Sequence, residues 1–171
     1  MTDVERTDWN EIVDSHAQRV LRIARRILGS IEDAEDISQE VFSEAYRMHL
    51  SGKKPVRTWE ALLVRLATLR SLDSLRKNRP MSEFQVSDCI STVQPSDEVV
   101  AIELAQWLRG AIAQLPDQQA AVFVMSCFEQ FSREEVSGIL GISTDAVSTS
   151  LYKARQRLST ELTFFYHGDV K

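Results

Sequence analysis

At 171 residues, with 43% hydrophobic and 26% charged residues, the chain has the composition of a globular protein and room for two small domains. No apolar run approaches the roughly 18 residues that span a bilayer, which excludes membrane insertion, and the polar start 1–9 lacks the basic and apolar parts of a signal peptide, so the expected location is the cytoplasm. A net charge of −5 excludes a uniformly basic surface for nucleic acid, leaving only a local one.

The first predicted element is a helix over Trp9–Leu28, where Trp9, Ile12, Val13, Val20, Ile23, Ala24 and Ile27 recur at helical spacing, Asp8 can cap the start and Gly29 the end. A second helix is predicted from Ile31 or Asp33 to about Met48, with Ala34, Ile37, Val41, Phe42 and Ala45 on its apolar side. Its charged residues up to Tyr46 are all acids, Glu32, Asp33, Glu35, Asp36, Glu40 and Glu44, without a base before Arg47. His49 to Thr58, with Gly52 and Pro55, reads as a loop. Thr58 can cap a third helix running from Trp59 to about Asn78, which Pro80 ends. Between Lys53 and Arg79 the balance reverses, with eight bases against Glu60 and Asp73.

The stretch from Met81 to Ser96 has no sustained periodicity and is rich in Ser, Thr, Asp and Pro, so it is expected to be a flexible linker. Beyond it, Val99, Ile102, Ala105, Leu108, Ile112 and Leu115 form the expected buried stripe of a helix over Asp97–Leu115, and Pro116 opens another helix to about Phe128. The last segment, FSREEVSGILGISTDAVSTSLYKARQRL, is the most informative. Ser132 and Glu135 make a capping box, Gly141 permits a tight turn, and Ser143 caps a longer helix whose apolar stripe is Val147, Leu151, Ala154 and Leu158. A short helix, a glycine turn and a longer helix make a helix-turn-helix. Its second helix would present Thr144, Ser148, Thr149, Tyr152 and Lys153 to a major groove, and Arg155 and Arg157 to phosphates. The half after the linker nevertheless carries more acids than bases, so it should bind DNA weakly by itself. Residues 160–171, with Phe164, Phe165 and Tyr166, are expected to be a short packing extension.

Two cysteines far apart, three scattered histidines, and the lack of a glycine-rich phosphate loop or a nucleophile motif point to a protein with no catalytic residue, no metal and no cofactor.

DAEDISQEVFSEAYR at 33–47 resembles the core-binding helix of bacterial sigma factors, WEALLVRLATLRSLDSLRKNRP at 59–80 resembles their promoter-melting helix, and LPDQQAAVFVMSCFEQFSREEVSGILGISTDAVSTSLYKARQRL at 115–158 is similar to their sigma-4 domain. The resemblance covers nearly all of 9–158 and, with only these two domains, fits the extracytoplasmic-function type. It implies an all-α fold of two small helical domains: a sigma-2-like bundle over 8–80, a flexible linker over 81–96, and a sigma-4-like helix-turn-helix domain over 97–166. It further implies a transcription initiation factor that carries RNA polymerase core to promoter DNA.

Carried over residue by residue, it assigns Asp33, Asp36, Gln39, Glu40 and Phe42 to the clamp helices of the polymerase β′ subunit. It assigns Lys53, Lys54, Arg57, Arg65 and Arg70, with Trp59 as either a stacking ring or a core residue, to the −10 element. Thr144, Ser148, Thr149, Tyr152, Lys153, Arg155 and Arg157 fall to the −35 element, the β flap to the second domain, and an anti-sigma factor is a further implied partner. Ser148, Thr149 and Ser150 stand where many relatives carry arginine, so the guanine contact that arginine makes is missing. The alternative reading is a sigma-like mimic that occupies an anti-sigma factor without touching DNA. The basic segment 53–79 and the Lys153, Arg155 and Arg157 series argue against it.

Overall fold

The computed structural model describes residues 8–51, 58–78 and 97–167. The expected linker 81–96 and the cations Lys53, Lys54 and Arg57 lie outside the described residues. Within them the fold is all-helical: α1 (Trp9–Leu28), α2 (Ile31–Ser51), α3 (Trp59–Lys77), α4 (Asp97–Ala113), α5 (Asp117–Phe123), α6 (Arg133–Leu140) and α7 (Thr144–His167).

The first three helices pack mutually, α1 lying against both α2 and α3. Each contributes the face that its periodicity marked: Ile12, Val20, Ile23, Ala24 and Ile27 from α1, Ala34, Ile37, Val41 and Ala45 from α2, and Leu63, Val64, Leu66, Ala67 and Leu72 from α3. Local chemistry sets the helix ends. The Asp8 carboxylate accepts from the Asn10 amide at 3.0 Å, and Gly29 closes α1 at φ 78°, a left-handed conformation that a side chain would strain. Ser30 Oγ accepts from the Asp33 amide at the start of α2. Thr58 stands before α3 in an extended conformation, but its side chain makes no capping hydrogen bond, unlike the expectation. α2 also runs three residues beyond Met48, into the expected loop.

The second half is built on α5 and α7, with α4 and α6 against α7 and Ala111, Ile112, Leu115, Ala120, Val122, Met125, Val136, Val147, Ala154 and Leu158 in its core. The helix that Pro116 opens does not continue as an α-helix to Phe128. After Phe123 it widens into a π-helical turn, Val124–Phe128, where the Glu129 amide donates to the Val124 carbonyl, and Gln130 at φ 56° ends it. The expected stripe of α4 is also corrected. Val99 and Ile102 are 43% and 58% exposed, and fully buried positions begin only at Ala111. Periodicity marks which face of a helix is apolar, but not how far along the helix a neighbour extends to cover it.

Candidate polymerase and promoter surfaces

Two charged surfaces of the first half sit on adjacent helices. On α2, Asp33, Asp36 and Glu40 are spaced i, i+3, i+7 and fall on one side, away from Ala34, Ile37, Val41 and Ala45 in the core. Asp36, Gln39 and Glu40 are exposed and Asp33 is half-buried. No described residue forms an ion pair with any of these three acids. Phe42 is not brought to this side. It is half-buried against the core, its ring edge-on to Trp9 with centroids 6.4 Å apart.

Trp9 is the hub of a ring cluster that joins α1, α2 and α3. Its centroid lies 4.9 Å from Tyr46, 6.1 Å from His49 in a stacked arrangement and 5.7 Å from Trp59, and His49 meets Trp59 edge-on at 5.5 Å. Trp59 is half-buried in this cluster and packs against the core. Packing is one of the two roles left open for it. In the sequence the cluster stands on both sides of 52–57, since His49 lies in the last turn of α2 and Trp59 begins α3.

Two of the cations of α3, Arg70 and Arg76, are engaged in ion pairs, while Arg65 and Lys77 are exposed. Arg70 Nε and Nη2 donate to the two carboxylate oxygens of Glu44 at 2.8 and 2.9 Å, a bidentate pair across α2 and α3. That hydrogen-bonded carboxylate, with lesser help from Asp73 and Glu40, holds the Arg70 guanidinium above its ordinary pKa. Arg65 is exposed, on a groove lined also by Leu62, Leu69, Phe131, Gly138 and Ile139, so it faces the helix-turn-helix half.

In that half the turn is tightly specified. Ser132 Oγ accepts from the Glu135 amide while the Glu135 carboxylate accepts from the Ser132 amide at 2.7 Å, completing the capping box. Gly141 adopts φ 69°, and Ser137 Oγ donates to the Ile142 carbonyl at 2.6 Å, which fixes the turn. Ser143 Oγ then accepts from the Ala146 amide at 3.1 Å and starts α7.

Along α7, Ser148, Thr149, Tyr152, Lys153, Arg155 and Arg157 are exposed and Thr144 is half-buried. Tyr152 is 62% exposed, its hydroxyl accepting from Gln156 at 2.8 Å. Ser150 is not on this surface. It is buried, and its hydroxyl accepts from Gln118 of α5 at 2.9 Å. A contributor unmarked in the sequence is Arg133, the first residue of α6, whose Nη1 comes within 3.5 Å of Ser148 Oγ. Its only sequence signal was its place directly after the capping serine.

Comparison with known proteins places both halves. Residues 12–80 match the sigma-70 region 2 family and residues 105–158 match sigma-70 region 4. The chain is 29% identical over 164 residues to the ECF RNA polymerase sigma factor SigW of Bacillus subtilis, covering 89% of this chain and 87% of that one. It is 32% identical over 155 residues to SigE of Mycolicibacterium smegmatis, covering 88% of this chain but 60% of that longer protein. Among solved structures, CnrH in complex with the cytosolic domain of CnrY shares the fold, with a TM-score of 0.61 at 21% identity over 91% of this chain and 87% of that one. With regions 2 and 4 matched in order and ECF sigma factors among its relatives, the chain belongs to the sigma-70 family of RNA polymerase sigma factors, in its extracytoplasmic-function group.

Proposed function

We propose that this chain directs core RNA polymerase to promoters by dividing the work between its halves, 8–80 and 97–166, joined through 81–96. The acidic side of α2, with Asp33, Asp36, Glu40 and neighbouring Gln39, docks on the clamp helices of the β′ subunit. Exposed carboxylates with no ion pair among the described residues are what a basic coiled coil can pair with, and such pairing sets register and association rate. Phe42 supports this surface from behind through Trp9 rather than supplying its buried anchor.

Lys53, Lys54, Arg57, Arg65 and Arg70 hold the unpaired strand of the −10 element, beside the ring cluster built on Trp9. Extruding a base from the stack costs a few kcal/mol, so the segment that receives it must be held by a rigid frame. Trp9, His49 and Trp59 supply that frame on both flanks of 52–57. The exposed side of α7 reads the −35 element through Thr144, Ser148, Thr149, Tyr152 and Lys153, while Arg155, Arg157 and Arg133 hold the backbone. The second half also meets the β flap, and an anti-sigma factor competes for these surfaces.

The observation that carries the reading is the coexistence, in one chain, of an exposed carboxylate face on α2, with no ion pair among the described residues, and an exposed polar face on the second helix of a helix-turn-helix. Reconstitution with core polymerase and transcription from a pool of promoter fragments tests it. Promoter-selective transcripts that depend on the added chain are expected. Binding to an anti-sigma factor without any core-dependent transcription would replace this reading with the mimic.

A further inference from the structure

The exposed side of α7 begins without a cation, and α6 brings one to it. Thr144, Ser148, Thr149 and Tyr152 carry no positive charge, and Lys153 is the first base of the helix. In a helix-turn-helix the N-terminal residues of the second helix meet the base edges, and the commonest specific contact there is a guanidinium donating to guanine O6 and N7. Arg133 is the first residue of α6, fixed in place by the capping Ser132 before it, and its side chain crosses to α7. Its Nη1 donates to Ser148 Oγ at 3.5 Å, and that hydroxyl donates in turn to the Thr144 carbonyl at 3.1 Å. On the opposite edge of the guanidinium, Nε and Nη2 each lie 3.4 Å from Glu134 Oε1.

These contacts aim the guanidinium without consuming it. All three are at the long end of hydrogen-bond distance, and the Arg133 side chain is 55% exposed, so a ligand can take them over at little cost. The small hydroxyl at 148 is what admits the group, because an arginine at that position would meet Arg133 as a like charge. Glu134 then separates Arg133 from the plain cations Arg155 and Arg157. Its carboxyl is 68% exposed and is held below its ordinary pKa by its own backbone N–H and then by Arg133, so at neutral pH it is a charged acceptor. A phosphate repels that carboxylate, which cuts what the pair gains from the DNA backbone. A G·C pair, by contrast, offers both members a partner in the major groove: guanine O6 and N7 accept from the arginine, and cytosine N4 donates to the carboxylate.

We propose that Arg133 and Glu134, at the start of α6, read one G·C pair of the upstream promoter element and so supply the guanine contact that Ser148 and Thr149 cannot make. The inference rests on the promoter-binding reading above and goes beyond it, since it gives Arg133 a base in addition to the backbone and gives Glu134 a role in specificity. Sequence discrimination at this point is thereby moved from the second helix of the motif to the first residues of the helix before it. The chain carries the same chemistry as an arginine on α7, but delivers it from the other side of the turn.

The test is a selection: core polymerase reconstituted with the full chain is given promoter fragments randomised over the upstream element, and the bound fragments are sequenced. The wild type should fix a guanine at one position, and Arg133→Ala should lose that preference by about tenfold or more while the other positions stay as they were. Arg133→Lys keeps the charge but not the planar fork, so it should not restore the preference. Glu134→Ala should weaken discrimination at the same position yet raise affinity for fragments of every sequence, because a charge that repels phosphate has gone. All three variants are at exposed positions and should keep wild-type helicity by circular dichroism. Full rescue by Arg133→Lys, or a loss spread evenly over all positions, would leave Arg133 a backbone contact and overturn the base reading. Unchanged discrimination in Glu134→Ala would overturn the paired recognition. A wild type that selects promoters but fixes no guanine upstream would sink this inference alone, whereas a wild type that selects no promoter with core would sink the sigma-factor reading together with it.

Discussion

The acids of α2 and the arginines of α3 occupy adjacent helices of one three-helix unit, yet the protein uses them oppositely. Asp33, Asp36 and Glu40 point away from the core and have no ion-pair partner among the described residues, whereas Arg70 is held bidentately by Glu44 and Arg76 is committed to Ala113, Leu115 and Asp117. The lesson is that charge density in a sequence does not measure charge available to a partner. An unpaired surface carboxylate is ready to bind. A guanidinium with several internal acceptors must first exchange them, and that exchange is a barrier that a ligand or partner must compensate.

Both surfaces stand on one core, so the broadest way to break the contrast is to damage that core. Leu63→Ala, at a position 1% exposed, should destabilise the fold by about 2–5 kcal/mol in urea unfolding and weaken binding to core and promoter together. Loss of one function alone would mean that the two helices do not share a cooperative unit. The α2 side is tested separately by Asp36→Lys with Gln39→Ala, which should cost about 1–3 kcal/mol of affinity for core polymerase at unchanged helicity. Unaltered core affinity would remove this face from the interface.

The helix-turn-helix sharpens the comparison, because its polar residues on α7 are exposed like the acids of α2. Ser148→Arg should change which upstream element is preferred, by about 1–3 kcal/mol for a site offering a guanine to the new side chain. Lys153→Glu should instead lower transcription from all promoters and reduce the salt dependence of binding by about one ion. If substitutions at Ser148 and Thr149 leave promoter preference untouched, the reading surface lies elsewhere.

Replacing the internally paired Arg70 with Lys keeps the charge but loses the fork. Because its side chain is 42% exposed, stability should fall by less than about 1 kcal/mol, measured by thermal melting against the Glu44→Gln variant to detect coupling. A larger drop in promoter opening than in stability would show that Arg70 exchanges Glu44 for DNA.

The smallest effect is expected at Glu32. Its own backbone N–H, then the Ser30 hydroxyl, hold its carboxyl below the ordinary value of 4.5. A depressed acid contributes stability that is complete above its unfolded pKa and is lost as pH falls through the folded one. Glu32→Gln should therefore narrow the stability gap to wild type only below about pH 4.5, as read by circular dichroism during acid titration. A constant gap across that range would mean that the carboxylate has no capping role.

Much of the architecture was legible in advance because it depends on short-range rules. Apolar spacing identified α1, α2, α3 and the buried side of α7, and the pairing of Ser132 with Glu135 located the start of α6, since capping needs only residues three apart. The serines and glycine of the turn likewise act within their own neighbourhood. The exposure of the polar residues of α7 was legible for the same reason, and so was the burial of Ser150, three residues after Val147 and four before Ala154; only its partner, Gln118 of α5, was not.

What the tertiary structure alone decided is where each long side chain ends. Phe42 lies on the margin between the apolar and polar sides of α2, and only the position of Trp9 turns it inward. Arg26 and Arg76 look like any basic residues in a last helical turn, yet they reach carbonyls 102 and 39 residues away in the chain. Periodicity is a property of one helix and reports the direction of a side chain at its base. The partner at the tip of an arginine depends on how helices from both halves are arranged, which no local spacing encodes.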